Sequence, residues 1–378
     1  MNIALLGFGT VGFGVYEIAE KVDGLNITYV LDLKKHEGIS AKSVTDITPI
    51  LEDGTVDTVV ELIGGLHPAY EFVKKSLLAG KNVVTANKFL ICEYYEELNR
   101  LAREKGVSLR YTASVGGGIP WLVNLERIKR ISPIKSITGI FNGTTNFILD
   151  GMHKNGADFD DMLKEAQRLG YAEADPSADI DALDTVRKII ISANIAFDRV
   201  FENSTADVFG IRNITFKDIE SAEKEGMVCR LLASAIKSDD GFSVFAEPTF
   251  ISKDSPFASV EDSFNRISVD SELEGEAAFF GYGAGRYPTA YAVTNDLVDI
   301  ENGSVGEYGR TDRTDKADNT LATSRYYVRT TDEKLLGDII DRTFGNGCVT
   351  KEISVGEMHS LAKKLLEKDG GFFFAAVR

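Results

Sequence analysis

Residues 2–7, NIALLG, form a short apolar run closed by glycine, and residues 15–22, VYEIAEKV, then place apolar side chains at helical spacing. The chain opens as strand, Gly-rich turn and helix. Further apolar runs at 27–33, 58–63, 82–86 and 108–112 predict strands, with helical patterns at 69–79 and 93–105 between them. Strands alternating with helices in this way predict βαβ units around a parallel sheet. From about residue 135 the pattern changes to a strand at 134–141, helices at 159–169 and 183–197, and strands near 242–251 and 277–282, a second and mixed domain. Residues 301–324 are polar and aperiodic, as in a linker. The tail, 325–378, predicts a small βαβαβ unit, with LLGDIIDRTF as its first helix and MHSLAKKLLEK as its second.

The turn after the first strand is Gly7-Phe8-Gly9-Thr10-Val11-Gly12, a G-x-G-x-x-G in the strand–turn–helix context that gives the motif meaning. Gly7 permits the tight turn, Gly9 lets the backbone approach a pyrophosphate, and Gly12 lets helix pack on strand. The helix start, with Thr10 and Val11, favours the anion. Asp32 follows Gly12 by 20 residues at the end of the second strand, where a carboxylate accepts hydrogen bonds from an adenosine ribose. That favours NAD, while Lys34 and Lys35 just behind it leave NADP open. The expected fold class is therefore α/β: a doubly wound parallel sheet of Rossmann type at 1–133, and a mixed α+β domain at 134–300, followed by the linker and the appendage.

Gly64-Gly65 and Thr85-Ala86-Asn87-Lys88 each follow a predicted strand, and loops at the carboxyl ends of a parallel sheet are where ligands bind. Lys88 is a candidate on that ground, against the usual fate of a solvated lysine. Ser114-Val115-Gly116-Gly117-Gly118-Ile119-Pro120 is a turn of exposed backbone, suited either to a cation held by carbonyls or to a crossing between domains. Asn142-Gly143-Thr144-Thr145-Asn146 is a polar loop of the kind that packs on a ligand. Gly170-Tyr171-Ala172-Glu173-Ala174-Asp175-Pro176 precedes Asp179, Asp181 and Asp184, with Lys188 one helical turn after Asp184. A surface i,i+4 ion pair would explain Asp184 and Lys188 but not the run of acids before them.

Composition narrows the partners. Of 378 residues, 42 are Lys or Arg and 58 Asp or Glu, a formal charge of −16, opposite to what nucleic acid or an anionic membrane attracts. Nine acids between 158 and 184 against Lys164 and Arg168 concentrate that charge before the helix carrying Lys188. The three cysteines, Cys92, Cys229 and Cys348, are scattered and lack metal-ligand spacing, which points to a reducing compartment, the cytoplasm. No apolar stretch approaches a membrane span.

Taken together, these segments resemble one family, the homoserine dehydrogenases, over roughly residues 1–300, through V-V-E-L-I-G-G, V-V-T-A-N-K, S-V-G-G-G-I-P, N-G-T-T-N-F-I-L, G-Y-A-E-A-D-P and D-I-D-A-L-D-T-V-R-K. Gly281-Tyr282-Gly283-Ala284-Gly285-Arg286 resembles the family's glycine-rich return to the cofactor, so the resemblance implies that 134–300 is the substrate-binding and dimerisation domain and that 281–300 return to the cofactor domain. The resemblance implies reversible NAD(P)-dependent interconversion of L-homoserine and L-aspartate 4-semialdehyde, a branch-point step towards threonine, isoleucine and methionine. It implies Lys188 and Lys88 as catalytic lysines, and Glu173, Asp184, Asp179 and Tyr171 around the substrate. Gly7, Gly9, Thr10, Val11, Gly12, Asp32, Gly64, Thr85, Asn87, Lys88, Gly170, Gly283 and Gly285 are the implied cofactor contacts. It also implies a monovalent cation, Na or K, on the carbonyls of Thr112, Val115, Gly117 and Ile119, and assembly as a homodimer or homotetramer. Thr112 stands where the family usually has Glu. Ala182 stands where it usually has Gly, a change expected to require only an ordinary backbone angle. The tail is similar to a truncated ACT domain, lacking a Pro-Gly loop. Two alternatives are a cysteine-dependent aldehyde dehydrogenase using Cys92 and a catalytically silent NAD(P)-binding sensor.

Overall fold

The computed structural model describes residues 1–304 and 313–378. The chain divides into two compact units, the first formed by residues 1–131, 194–200 and 282–314, the second by residues 132–193, 201–281 and 315–378.

In the first unit six parallel strands, β1 (Asn2–Leu6), β2 (Asn26–Leu31), β3 (Lys42–Val44), β4 (Thr58–Glu61), β5 (Asn82–Thr85) and β6 (Leu109–Arg110), lie in the order β3-β2-β1-β4-β5-β6. Strand order reverses between β1 and β4, the crevice where such sheets bind ligands. Ile3 to Leu6 are fully buried, as expected of a strand covered on both faces. The helices are α1 (Thr10–Ala19), α2 (Thr48–Glu52), α3 (Ala69–Leu78), α4 (Lys88–Glu93), α5 (Tyr95–Lys105) and α6 (Trp121–Lys129). The pattern at 93–105 is thus interrupted at Tyr94, where one helix ends and the next begins.

The second unit follows with β7 (Ile134–Ile140), α7 (Gly143–Asn155), α8 (Phe159–Leu169), α9 (Ser177–Ile180) and α10 (Leu183–Phe197), whose last turn belongs to the first unit. After the short strands β8 (Val200–Phe201) and β9 (Asp207–Val208) and helix α11 (Phe216–Lys224) come the long strands β10 (Met227–Lys237) and β11 (Phe242–Ser252), then β12 (Phe264–Ser271) and β13 (Gly275–Tyr282). Helix α12 (Arg286–Glu301) returns to the first unit, where Ala290, Val293 and Leu297 join the core built on Ile3, Leu5 and Val15. Gly14 permits this, because a Cβ there would lie 3.1 Å from the Ala290 Cβ.

The expected linker falls partly on residues 305–312, outside the described residues. Its later part holds β14 (Thr314–Asp315), and β15 (Thr323–Arg329) begins at its end. Residues 325–378 do not form the expected βαβαβ. Residues 335–344, read as a helix from Leu335, Leu336, Ile339 and Ile340, form two 3-10 turns and strand β16 (Ile340–Phe344). Gly337 at φ +49° interrupts the helical run, and Gly345 at φ +55° turns β16 back into β17 (Gly347–Thr350). After β18 (Ile353–Ser354), helix α13 (Val355–Leu366) and β19 (Phe373–Val377) complete the chain. Expected as a separate appendage, this segment continues the large sheet: β19 pairs with β11 and β15, in the order β13-β12-β7-β10-β11-β19-β15-β17-β16.

Candidate active site

At the first unit's switch point the Gly-rich turn is set by close approach. Gly7 is left-handed at φ +95°, a Cβ on it would sit 2.8 Å from the Leu62 carbonyl oxygen, and a Cβ on Gly12 would sit 2.1 Å from the Gly7 oxygen. Gly9 is the opposite case, with no heavy atom within 4 Å of where its Cβ would be, so the turn is open on that side. Gly9 is the N-cap of α1 and offers no side-chain cap, and the first turn holds no acid. Among the described residues no side chain caps the leading N–H groups, the condition under which a helix start receives a phosphate. The residues fit a dinucleotide.

Asp32 lies just past β2. Its Oδ2 accepts the Phe8 N–H (3.2 Å) and faces His36 Nε2 (3.0 Å), while its Oδ1 accepts the Leu33 N–H (2.6 Å). Burial alone would raise its pKa, but His36 and the two backbone donors outweigh that and hold it below the ordinary value. His36 also packs edge-on against Phe8 at 4.8 Å. Its partnership with Asp32 was not among the expected features, although the i,i+4 spacing was there to be seen.

Across the switch point, Glu61 ends β4 fully buried. Its Oε1 accepts the Ile63 and Gly64 N–H groups (2.8 and 3.1 Å) and its Oε2 the Thr85 hydroxyl (2.6 Å). Burial raises the Glu61 pKa, against the pull of Thr85 and the two backbone donors. Thr85 Oγ1 in turn accepts the Asn87 N–H (2.9 Å), and Asn87 donates to the Gly65 carbonyl (2.7 Å) and caps α4 by accepting the Leu90 N–H (3.1 Å). Lys88, half-buried, is the first residue of that helix.

The Thr112–Ile119 segment carries two left-handed glycines, Gly116 and Gly117. A Cβ on Gly117 would lie 2.5 Å from the Gly283 oxygen, and the Gly118 N–H donates to the Tyr282 carbonyl (3.2 Å). Gly283 thus sits against this loop, and Gly285, at φ +121°, is the N-cap of α12. Thr112 donates its N–H (3.0 Å) and hydroxyl (2.7 Å) to the carboxylate of Asp296 on α12, a residue the sequence did not single out. Burial pushes Asp296 up to about 6, against the Thr112 hydrogen bonds and the Arg110 guanidinium 3.6 Å away. Carbonyl oxygens suit a hard cation. Here the Thr112 and Ile119 oxygens already accept the Val115 and Trp121 N–H groups, and a carbonyl oxygen can accept twice, so the donor set is compatible with a hard cation.

In the second unit a polar cluster gathers several of the expected residues. Lys188 on α10 donates to the Phe141 carbonyl (2.7 Å) and lies 2.8 Å from Asp184 Oδ2. Asn142 Nδ2 donates to Asp184 Oδ2 (2.9 Å) and Asp179 Oδ1 (2.7 Å), while Asn142 Oδ1 caps α7 at the Thr145 N–H (2.8 Å). Asp184 and Lys188 are both buried, so the i,i+4 pair is not the surface bridge weighed from spacing alone. The adjoining loop leaves α8 through Gly170, a left-handed C-cap, and Thr144 Oγ1 ties it down at the Tyr171 carbonyl (2.7 Å). Tyr171 and Glu173 are exposed on this loop, and Glu173 takes no part in the hydrogen bonds of the cluster.

Ala182 corrects an expectation. It is fully buried at φ +63°, not at an ordinary backbone angle. The tight corner between α9 and α10 demands it: the Ile211 N–H bonds the Ile180 carbonyl (2.7 Å), and Gly210 passes so close that a Cβ would fall 2.0 Å from that oxygen. A left-handed alanine costs about 1–2 kcal/mol.

Residues 7–112 match the family described as Homoserine dehydrogenase, NAD binding domain, and residues 120–298 the family described as Homoserine dehydrogenase. A homoserine dehydrogenase of Corynebacterium glutamicum is 42% identical over 79% of this chain and 71% of its own length, and one of Synechocystis is 39% identical over 79% and 73%. The chain belongs to the homoserine dehydrogenase family. The crystal structure of a homoserine dehydrogenase from Thiobacillus denitrificans superposes with a TM-score of 0.88 at 30% identity, covering all of this chain and 98% of that one. A hyperthermophilic archaeal homoserine dehydrogenase in complex with NADPH gives 0.70 at 26% identity, covering 80% and 98%. As a homoserine dehydrogenase the chain is an oxidoreductase that binds NAD(P) and interconverts L-homoserine and L-aspartate 4-semialdehyde. The cysteine-dependent alternative finds no support, and Cys92 is buried in α4. Among the described residues no helix is long and apolar enough to cross a membrane.

Proposed function

We propose that Lys188 is the general acid/base of the reaction. The observation that carries this is its amine, buried and anchored between the Phe141 carbonyl and Asp184, in a cluster that holds a second acid, Asp179, through Asn142. NAD(P), when bound, supplies or accepts the hydride. In the reducing direction the aldehyde oxygen becomes an alkoxide as hydride arrives, and Lys188 gives it a proton while stabilising the charge. In the oxidising direction Lys188 takes the hydroxyl proton. Asp184 keeps the lysine in place, and Asp179 with Glu173 on the Tyr171 loop receives the substrate ammonium. Lys88, at the start of α4, assists proton transfer and substrate positioning.

Gly7, Gly9, Thr10, Val11 and Gly12 hold the pyrophosphate, Asp32 the adenosine ribose, and Gly64, Thr85, Asn87, Gly170, Gly283 and Gly285 complete the cofactor contacts. Asp32, kept ionised by His36 and backbone donors, accepts ribose hydroxyls and repels a 2′-phosphate, so NAD is preferred over NADP. A monovalent cation binds at Thr112, Val115, Gly117 and Ile119, and the enzyme works in the cytoplasm as a homodimer or homotetramer. The test is homoserine-dependent reduction of NAD and NADP with and without Na and K salts, beside Lys188→Ala and Glu173→Gln. The reading expects higher kcat/KM with NAD, loss of turnover in Lys188→Ala and a raised homoserine KM in Glu173→Gln. Unchanged turnover in Lys188→Ala would overturn it.

A further inference from the structure

We infer that Glu61 is a positioning residue for the cofactor: its buried carboxylate closes a hydrogen-bonded ring that locks the Gly64–Gly65 turn to the start of α4. The inference rests on the reading of Gly64, Thr85 and Asn87 as cofactor contacts. The ring runs from Glu61 to the Ile63 and Gly64 N–H groups, along the chain to Gly65, from the Gly65 carbonyl to the Asn87 amide, from the Asn87 N–H to the Thr85 oxygen, and from the Thr85 hydroxyl back to Glu61.

The backbone bonds in it have a fixed sense. The Asn87 N–H can only donate and takes one lone pair of Thr85 Oγ1, whose hydroxyl donates to Glu61 Oε2. The Ile63 and Gly64 N–H groups can only donate as well. Glu61 accepts on both of its oxygens, two backbone N–H groups on one and the Thr85 hydroxyl on the other, an all-acceptor arrangement that suits a carboxylate. The ring joins two short stretches of backbone. Gly64 and Gly65 are left-handed at φ +78° and +68°, with no heavy atom within 4 Å of either Cβ position, and α4 is only six residues long. Both lie at the carboxyl ends of β4 and β5, beside the switch point. Their fixed geometry is what a rigid ligand needs in order to bind without an ordering cost.

Glu61→Gln is the sharp probe, because it keeps shape and volume but presents an NH2 group to the ring. Facing Thr85 it reverses that bond, so that the threonine hydrogen must turn out of the ring, and facing Gly64 it sets donor against donor. We expect the NADPH dissociation constant, read from nucleotide fluorescence, to rise about tenfold or more while the protein stays folded. Thr85→Val, which cuts the same ring from the other side, should raise it similarly, and the double variant should be no worse than Glu61→Gln alone. A purely structural role would lower the melting temperature and the active fraction but leave the affinity of the folded molecules intact. Hydrogen exchange of residues 62–65 and 85–90 in the wild type, with and without NADPH, separates this inference from the reading beneath it. Protection there with unchanged affinity in Glu61→Gln overturns the role of Glu61 alone, and no protection overturns both. If Glu61→Gln does not fold, Thr85→Val decides: affinity within twofold of wild type overturns the inference.

Discussion

The two halves of the chemistry are built from different materials. The proposed nucleotide site is largely backbone: the closely packed Gly7 and Gly12, an uncapped helix start, and loops tied to Glu61. The proposed substrate site is made of charged side chains, Lys188, Asp184 and Asp179, tied through one amide, Asn142, and set by a corner that holds an alanine in the left-handed region. Backbone sites are fixed by local chain geometry, and at Gly7 and Gly12 an added Cβ does not fit. Side-chain sites are fixed by tertiary packing, and a single functional group can be removed from them while the frame survives.

Gly12→Ala breaks the first half hardest. Its methyl would fall 2.1 Å from the Gly7 oxygen, so the turn must move. NADPH affinity should drop about a hundredfold, and urea unfolding should show a loss of about 1–3 kcal/mol. Asp296 probes the same unit through pH. Its folded-state pKa of about 6 lies above the ordinary 3.8, so the folded chain holds that proton more tightly. The group's contribution to stability therefore falls as pH rises from 3.8 through about 6. At about 1.4 kcal/mol per pKa unit the penalty above that window is on the order of 3 kcal/mol. Comparing wild type with Asp296→Asn by urea unfolding at pH 4 and pH 7.5 should show a shallower loss in the variant, and equal slopes would refute the assignment. The smallest effect belongs to Ala182→Gly, where relief of about 1 kcal/mol of strain is offset by a lost buried methyl worth a similar amount. The unfolding midpoint should barely shift, and a large loss would mean the methyl matters more than the angle.

The same contrast explains what could be read from the sequence. The Gly7–Gly12 turn, five of the six strands of the parallel sheet and helices α8 and α10 were legible, because turn chemistry and periodicity are local properties, while the three-residue edge strand β3 was not expected. Glu61 was not, since a glutamate in an apolar strand gives no sign that the loop beyond it will donate back. Asp296 and Asn142 were missed as partners because their bonds to Thr112 and Asp184 join residues far apart in sequence. The helix read into 335–344 failed for a local reason that apolar spacing concealed: Gly337 and Gly345 adopt positive φ and convert the stretch to turns and a hairpin. The acidic run at 158–184 divided by burial, with Asp160 and Asp161 on the exposed face of α8 and Asp184 beneath the surface beside Lys188.

The central claim is that binding and proton transfer are carried by separable parts, with Lys188 responsible for the second. The direct test measures, on one preparation of Lys188→Ala, both kcat for homoserine oxidation and the NADPH dissociation constant. The account predicts a fall in kcat of about 10³-fold with affinity within twofold of wild type. A kcat within tenfold of wild type, or an affinity that falls in step with kcat, would contradict it.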